Sequence, residues 1–406
     1  MGGVSEKLKL ICFFSPLTLI LHCLKKKSFQ MKILFVGDAS NMHNCLAQAM
    51  RQLGHSAVVA SNGSHWMDTT RDIDLNRGPG KLGAVRYVID ILCSRSKMRD
   101  FDVVVTCGSI FLDLKPGKVR RVFDWLKRHN HCIVMSALGT DYVYYHACHD
   151  GKTYRYSDFM VGEKPSPYAL SCEYQARHED NWKLPIMREH SEHIINKIDG
   201  AVSCLWEYHE CYKPLLGDRL AYAGIPIDTK SVTPHILEHE PDKVKFFIGI
   251  QRDRNILKGT DLLLEAARRT VDRYPDLCEL KVVENVPYEE YVQLLSQSHV
   301  LLDQLYSYTP ATNALIAMAR GLVAVSGAEP EYYDLIGEHD NQPIINVSPL
   351  VEGDIDAKLE WLVKNKHQLP GLSRRSREFV EKHNEAHVVA QRHLEFYEKI
   401  LIKKNY

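Results

Sequence analysis

The sequence predicts an α/β protein of two doubly wound domains. Three observations predict it. Short continuous apolar runs (KILFV, DVVVT, CIVMS, FFIGI and LVAVS) have the length and composition of buried parallel strands. Between them lie segments with apolar residues at helical spacing, which is the alternation that builds a parallel sheet. Periodicity then breaks over Thr229–Asp242, where Pro, His and Glu interrupt it, and leaves a half of ordinary domain size on either side. At 406 residues each half is long enough to bury its own core. We place the first domain at 31–235, the second at 243–385 and a terminal helix at 386–406.

Bulk composition bounds the function. Lys+Arg and Asp+Glu are equal at 51 each, so no basic field points to nucleic acid as a partner. The 11 cysteines are scattered without a CxxC pair, which suits free thiols in a reducing cytosol. Residues 1–30 are set outside the fold. Leu10–Leu24 is apolar but short for a bilayer span, contains Pro16 and His22, and precedes Lys25–Lys27 without a small-residue cleavage site. It is read as an upstream extension or a peripheral anchor, the protein being cytoplasmic or at the inner face of a membrane.

MKILFVGD (Met31–Asp38) opens the first domain as a strand ending at Gly37. Leu46, Met50 and Leu53 then mark a helix that stops at Gly54-His55 before SAVVA. GDASNM lacks the glycines of a dinucleotide-binding turn, which argues against a dehydrogenase. Asn62–Gly83 reads as a polar loop. DVVVT and CIVMS flank the amphipathic VRRVFDWLKRH, and Tyr142–Lys183 reads as a long insertion rich in Tyr, His and charge, without periodicity. Ile186–Cys204 reads as helix then strand. His190 and His193 sit three apart on that helix without a third ligand, so they read as solvated and no metal is expected.

In the second domain FFIGI is a strand, Lys258-Gly259 ends a loop, and Leu262, Leu263, Ala266 and Val271 mark a helix. Glu279–Asp303 continues as strand, loop, helix, strand. The loop Tyr306–Pro310 follows, with Thr309 expected as N-cap and Pro310 in the first helical turn. A helix start fed by Thr309, Thr312 and Asn313 suits an anion such as a diphosphate. Gly321 closes that helix, LVAVS restores a strand, and Glu329 and Glu331 follow in a loop, either to bind sugar or ribose hydroxyls or to cap the next helix. Two further helices, from about Asp354 and Ser373, complete the chain.

Leu315–Val325 (LIAMARGLVAV) resembles the donor-site helix of GT-B glycosyltransferases, especially retaining glycosyltransferase family 4. That family usually reads Glu-x7-Glu-Ala-Met-Ala-x-Gly-x-Pro-Val. This chain departs from it at both glutamates, with Tyr308 at the first and Ile316 at the second. The strand-Gly…Lys-Gly element over Gly249–Gly259, Ala137–Asp141 (ALGTD) and the shortened Ala223–Thr229 (AGIPIDT) are similar to the family's elements.

The resemblance implies a fold of two Rossmann-like domains facing a cleft and a hexosyltransferase-type activity, with a terminal helix crossing back to the first domain. The donor would be a nucleotide sugar, and the acceptor a polysaccharide, cell-envelope glycan or lipid-linked glycan. It needs no cofactor and no metal, because Lys258 and Arg252, with Arg254 as second choice, would neutralise the donor diphosphate. Gly249, Glu284, Tyr308, Thr309, Thr312, Asn313, Glu329 and Glu331 would line the donor side. Gly37, Asp38, Gly139 and Thr140 would line the acceptor side, with Asp141 as a catalytic carboxylate. With both glutamates replaced, the donor pocket is expected to be neutral. A non-catalytic sugar- or partner-binding protein is the competing class, and a sugar-nucleotide epimerase a third.

Overall fold

The computed structural model describes residues 30–64 and 68–405. The expected extension therefore lies, up to residue 29, outside the described residues. In chain order the first-domain strands are β1 (Lys32–Val36), β2 (Ser56–Ser61), β3 (Ile73–Asp74), β4 (Val103–Cys107), β5 (Cys132–Ala137), β6 (Met160–Val161), β7 (Lys164–Pro165), β8 (Gly200–Ser203) and β9 (Leu220–Tyr222). Those of the second domain are β10 (Val244–Ile250), β11 (Cys278–Glu284), β12 (Val300–Leu302), β13 (Val323–Ser326) and β14 (Ile345–Asn346).

Seven strands form one sheet in the order β3-β2-β1-β4-β5-β8-β9, and five form another in the order β11-β10-β12-β13-β14. Every pairing within both sheets is parallel. The central strands are buried on both faces, as their unbroken apolar runs require. The antiparallel pair β6-β7 is a separate hairpin within the insertion.

Four readings need correction. The insertion Tyr142–Lys183 is not a plain loop: it holds the helices Tyr142–His149 and Cys172–Ala176 besides the hairpin. Its apolar residues are aromatic and pack on several sides, which hides a helical period. The loop assigned to Asn62–Gly83 contains β3 and ends in an unanticipated helix, Gly80–Cys93. The donor-side helix begins at Thr312 with Ala311 before it, so Pro310 lies outside it and Thr309 is not its cap. Thr309 is held instead by groups of the first domain, described below. His190 is not solvated: it is 1% exposed, with Nε2 at 2.8 Å from the Ser109 carbonyl.

The terminal helix Ala386–Asn405 packs against Met42–Gln52 of the first domain. Val389, Ala390, Leu394 and Tyr397 join Ile33, Phe35, Val103 and Val134 in one apolar cluster.

Candidate active site in the interdomain cleft

Strand ends of both domains meet at a cavity of about 360 Å³. The first domain contributes the Gly139-Thr140 turn after β5, together with Tyr144, Asp158, Arg177 and Glu207. The second contributes Arg254, Lys258, Gln304, Tyr306, Ser307 and Thr312.

Lys258 ends the short helix Asn255–Lys258, and Gly259 follows at φ +69°. A Cβ at Gly259 would lie 2.8 Å from Leu305 Cβ, so only glycine lets the two loops approach. The Lys258 carbonyl accepts the Leu305 N–H at 2.9 Å, which ties the lysine to the loop after β12. Burial lowers the Lys258 pKa; Asp303 opposes that shift and Arg254 adds to it. A desolvated ammonium beside a second cation gains from any anion that enters.

Asp158 faces these cations from the insertion. Tyr144 Oη donates to its Oδ2 at 3.1 Å. Burial pushes its carboxyl up to about 7, against the Tyr144 bond and the charge of Arg254. Glu207 stands in the first turn of the helix Trp206–Leu216 and is 5% exposed. Its Oε1 accepts the Tyr308 and Thr309 N–H groups at 2.6 and 3.2 Å, and Oε2 accepts the Thr309 hydroxyl at 2.8 Å. Burial raises its pKa, and those bonds oppose the shift. The cavity thus contains carboxyl groups, which corrects the expectation of a neutral pocket.

The expected donor residues divide. Lys258, Arg254 and Thr312 line the cavity. Tyr308 does not line it: its ring is stacked between Tyr156 and Trp206, at 4.6 Å from each. The Tyr308 hydroxyl accepts the Arg155 and Tyr156 N–H groups at 2.7 and 3.2 Å. Thr309 is taken by Glu207 and by the Trp206 N–H at 3.0 Å.

Glu329 accepts Tyr156 Oη and Arg155 Nη2, each at 2.8 Å, and Glu331 pairs with the same guanidinium at 3.0 Å. Both glutamates hold the insertion. Asn313 donates to Asp303 at 2.9 Å and accepts from Tyr291 at 2.8 Å. Arg252 is exposed and paired with Glu284 at 2.9 Å, outside the cavity lining. Gly249 lies in β10, where an added Cβ would meet the Tyr291 ring at 2.5 Å.

Of the residues expected on the acceptor side, Gly139 and Thr140 line the cavity. Asp141 is turned into the protein instead, capping the Tyr142–His149 helix through Tyr144 N–H at 3.0 Å and accepting the Tyr212 hydroxyl. Gly37 and Asp38 line a second cavity of about 430 Å³, with Tyr87, Phe111 and Asp113. Asp38 accepts the His43 N–H at 2.8 Å.

Sequence reasoning missed Asp158, Arg177, Glu207 and Tyr144. Glu207 lies outside every pattern singled out above, and the other three lie in the aperiodic insertion. Among the described residues, no group of three His, Cys, Asp or Glu could hold a metal ion.

No family model and no curated protein matches the chain. Solved structures do. Sucrose-phosphate synthase from Thermosynechococcus elongatus is similar over 92% of this chain and 100% of its own, with a TM-score of 0.59 at 11% identity. Anabaena HepE in complex with UDP and glucose is similar over 91% of this chain and 100% of its own, with a TM-score of 0.54 at 10% identity. A glycosyltransferase from Rickettsia africae covers 92% of this chain and 99% of its own, with a TM-score of 0.51 at 11% identity. Together with the two parallel sheets and the cleft between them, these likenesses establish the GT-B fold for this chain.

Proposed function

We infer that the cleft transfers a sugar from a nucleoside-diphosphate donor to an acceptor hydroxyl. The observation that carries this reading is the placement of Lys258 and Arg254 with Thr312 in one interdomain cavity, opposite Asp158 and the Gly139-Thr140 turn. Two cations beside a helix start suit a diphosphate, and their attraction strengthens as the leaving group gains charge. These residues neutralise the leaving group themselves, so this reading requires neither metal nor cofactor. Asp158, with a pKa near neutrality, is suited to accept the proton of the acceptor hydroxyl.

UDP-sugars are the first donors to test, because the structurally similar HepE binds UDP and UDP-glucose. The finer reading is a family 4-like, retaining, hexosyltransferase-type enzyme of polysaccharide biosynthesis, acting on a glycan or lipid-linked acceptor at the cytoplasmic face of a membrane. It rests on the resemblance of Leu315–Val325 and of Gly249–Gly259.

A second reading, a binding protein without turnover, is favoured by one observation. Tyr308 stands where the family has a donor-binding glutamate, and the insertion covers its ring. Incubation with UDP-, GDP- and ADP-sugars separates the two. Sugar transfer, or slow hydrolysis of one donor, supports the enzyme. A donor that raises the melting temperature without being consumed supports the binding protein. Conversion of the donor into an epimeric nucleotide sugar would point to an epimerase.

A further inference from the structure

The helix Gly80–Cys93 buries Tyr87 and Ile91 against the first-domain core, each 3% exposed. Its opposite face is apolar as well. Leu82, Val85, Ile89 and Leu92 recur at helical spacing and are 87%, 59%, 51% and 46% exposed. At roughly 100° per residue they form a single stripe on the side away from Tyr87 and Ile91. A surface helix ordinarily turns charged and polar residues to water there.

The charge beside the stripe indicates what covers it. Lys81 and Arg86 fall on its two flanks, and residues 77–99 hold six Lys/Arg against one Asp, in a chain whose totals balance at 51 each. Lys81 and Lys97 make no ion pair among the described residues, and Arg86 reaches Asp90 only at 3.8 Å. A second copy packed symmetrically on this face would set basic flank against basic flank, which opposes a dimer. An anionic lipid surface satisfies both features, taking the apolar stripe at the acyl boundary and the cations among its headgroups.

We propose that Gly80–Cys93 is a membrane-docking helix that lies flat on anionic lipid through Leu82, Val85, Ile89 and Leu92. The inner face of the same helix contributes Tyr87 to the cavity beside Gly37 and Asp38. Docking brings that cavity to within about one helix diameter, ~10 Å, of the lipid surface. A lipid-borne ligand would enter it from that side. The proposal does not depend on the chemistry of the cleft.

Co-sedimentation of the full chain with vesicles tests it. The wild type should bind mixed phosphatidylcholine–phosphatidylglycerol vesicles more tightly than phosphatidylcholine alone, and lose that preference in high salt. Leu82→Ser/Ile89→Ser should weaken binding by about tenfold or more, and Lys81→Glu/Arg86→Glu by a similar factor. Melting temperatures are read alongside; if the serine variant is destabilised, the charge variant decides, since it leaves all apolar packing intact. Binding unchanged in the charge variant would overturn the proposal, because residues 1–30 are the same in both proteins and would then be its source. No binding by the wild type, or a dimer that the serine variant dissociates, would overturn it equally.

Discussion

Asp158 and Lys258 face one cavity with pKa values displaced toward each other, the carboxyl up and the ammonium down, both chiefly through burial. For Asp158 this has a stability consequence. Below about pH 3 the carboxyl is protonated in the folded and the unfolded chain alike, so its ionisation contributes nothing to stability. As pH rises toward the folded value of about 7, the unfolded chain ionises first and stability is lost. Asp158→Asn should therefore gain on the wild type across that window, by roughly 2–4 kcal/mol at its upper end, and by almost nothing at about pH 3. Urea unfolding at several pH values measures this. In any transfer assay the same variant should lose roughly a hundredfold or more in turnover.

Lys258 was singled out through the resemblance of Gly249–Gly259, which lies within one local segment. Asp158 was not, because its significance comes from Tyr144, Glu207 and Arg254, and spacing along the chain does not reveal those neighbours.

Among the elements, the insertion Tyr142–Lys183 departs most from its reading. It folds into helices and a hairpin and closes over the second domain. Arg155 and Tyr156 reach Tyr308, Ser307 and Glu329, and Glu173 accepts the Ile256 and Leu257 N–H groups at 3.1 Å each. Tyr156 is 1% exposed, stacked on Tyr308 and bonded through its hydroxyl to Glu329 and the Ser307 carbonyl. Tyr156→Phe should cost about 1–3 kcal/mol, since it leaves a buried carboxylate short of a donor. Tyr156→Ala should cost about 3–5 kcal/mol, the usual range for deleting a buried aromatic ring. Thermal melts give both values, and limited proteolysis should show cleavage within residues 142–183 rising in the same order.

These contacts join residues from 83 to more than 150 positions apart, and no helical or strand period records them. For the same reason the sequence misplaced the start of the helix Thr312–Ala319: Thr309 has the chemistry of a cap, but Glu207 of the other domain claims its hydroxyl.

At the scale of the whole molecule the fold was readable almost throughout. Strands buried on both faces must be apolar at every position, and β1, β4, β5 and β13 announce themselves that way. Gly80–Cys93 escaped because its outer face is apolar as well as its inner one.

The terminal helix is tied back to the first domain: the Ala386 N–H bonds the Ile227 carbonyl at 2.9 Å, and Val389, Leu394 and Tyr397 cover the first-domain sheet. A chain ending at Glu385 uncovers several core side chains, each contributing about 1.5–3 kcal/mol by burial. The sum approaches the net stability of a domain, so the truncated protein should be insoluble or unfolded by circular dichroism.

The central claim, that the cleft binds a nucleoside diphosphate through Lys258, is tested most directly by calorimetric titration. UDP and uridine are titrated into the wild type and into Lys258→Ala. The wild type should bind UDP more tightly than uridine. The substitution should weaken UDP by about ten- to a hundredfold while leaving uridine nearly unchanged, the loss expected of one charge-assisted contact to the diphosphate. An equal loss for both ligands, or a wild type that binds none of UDP, GDP and ADP, would contradict the claim.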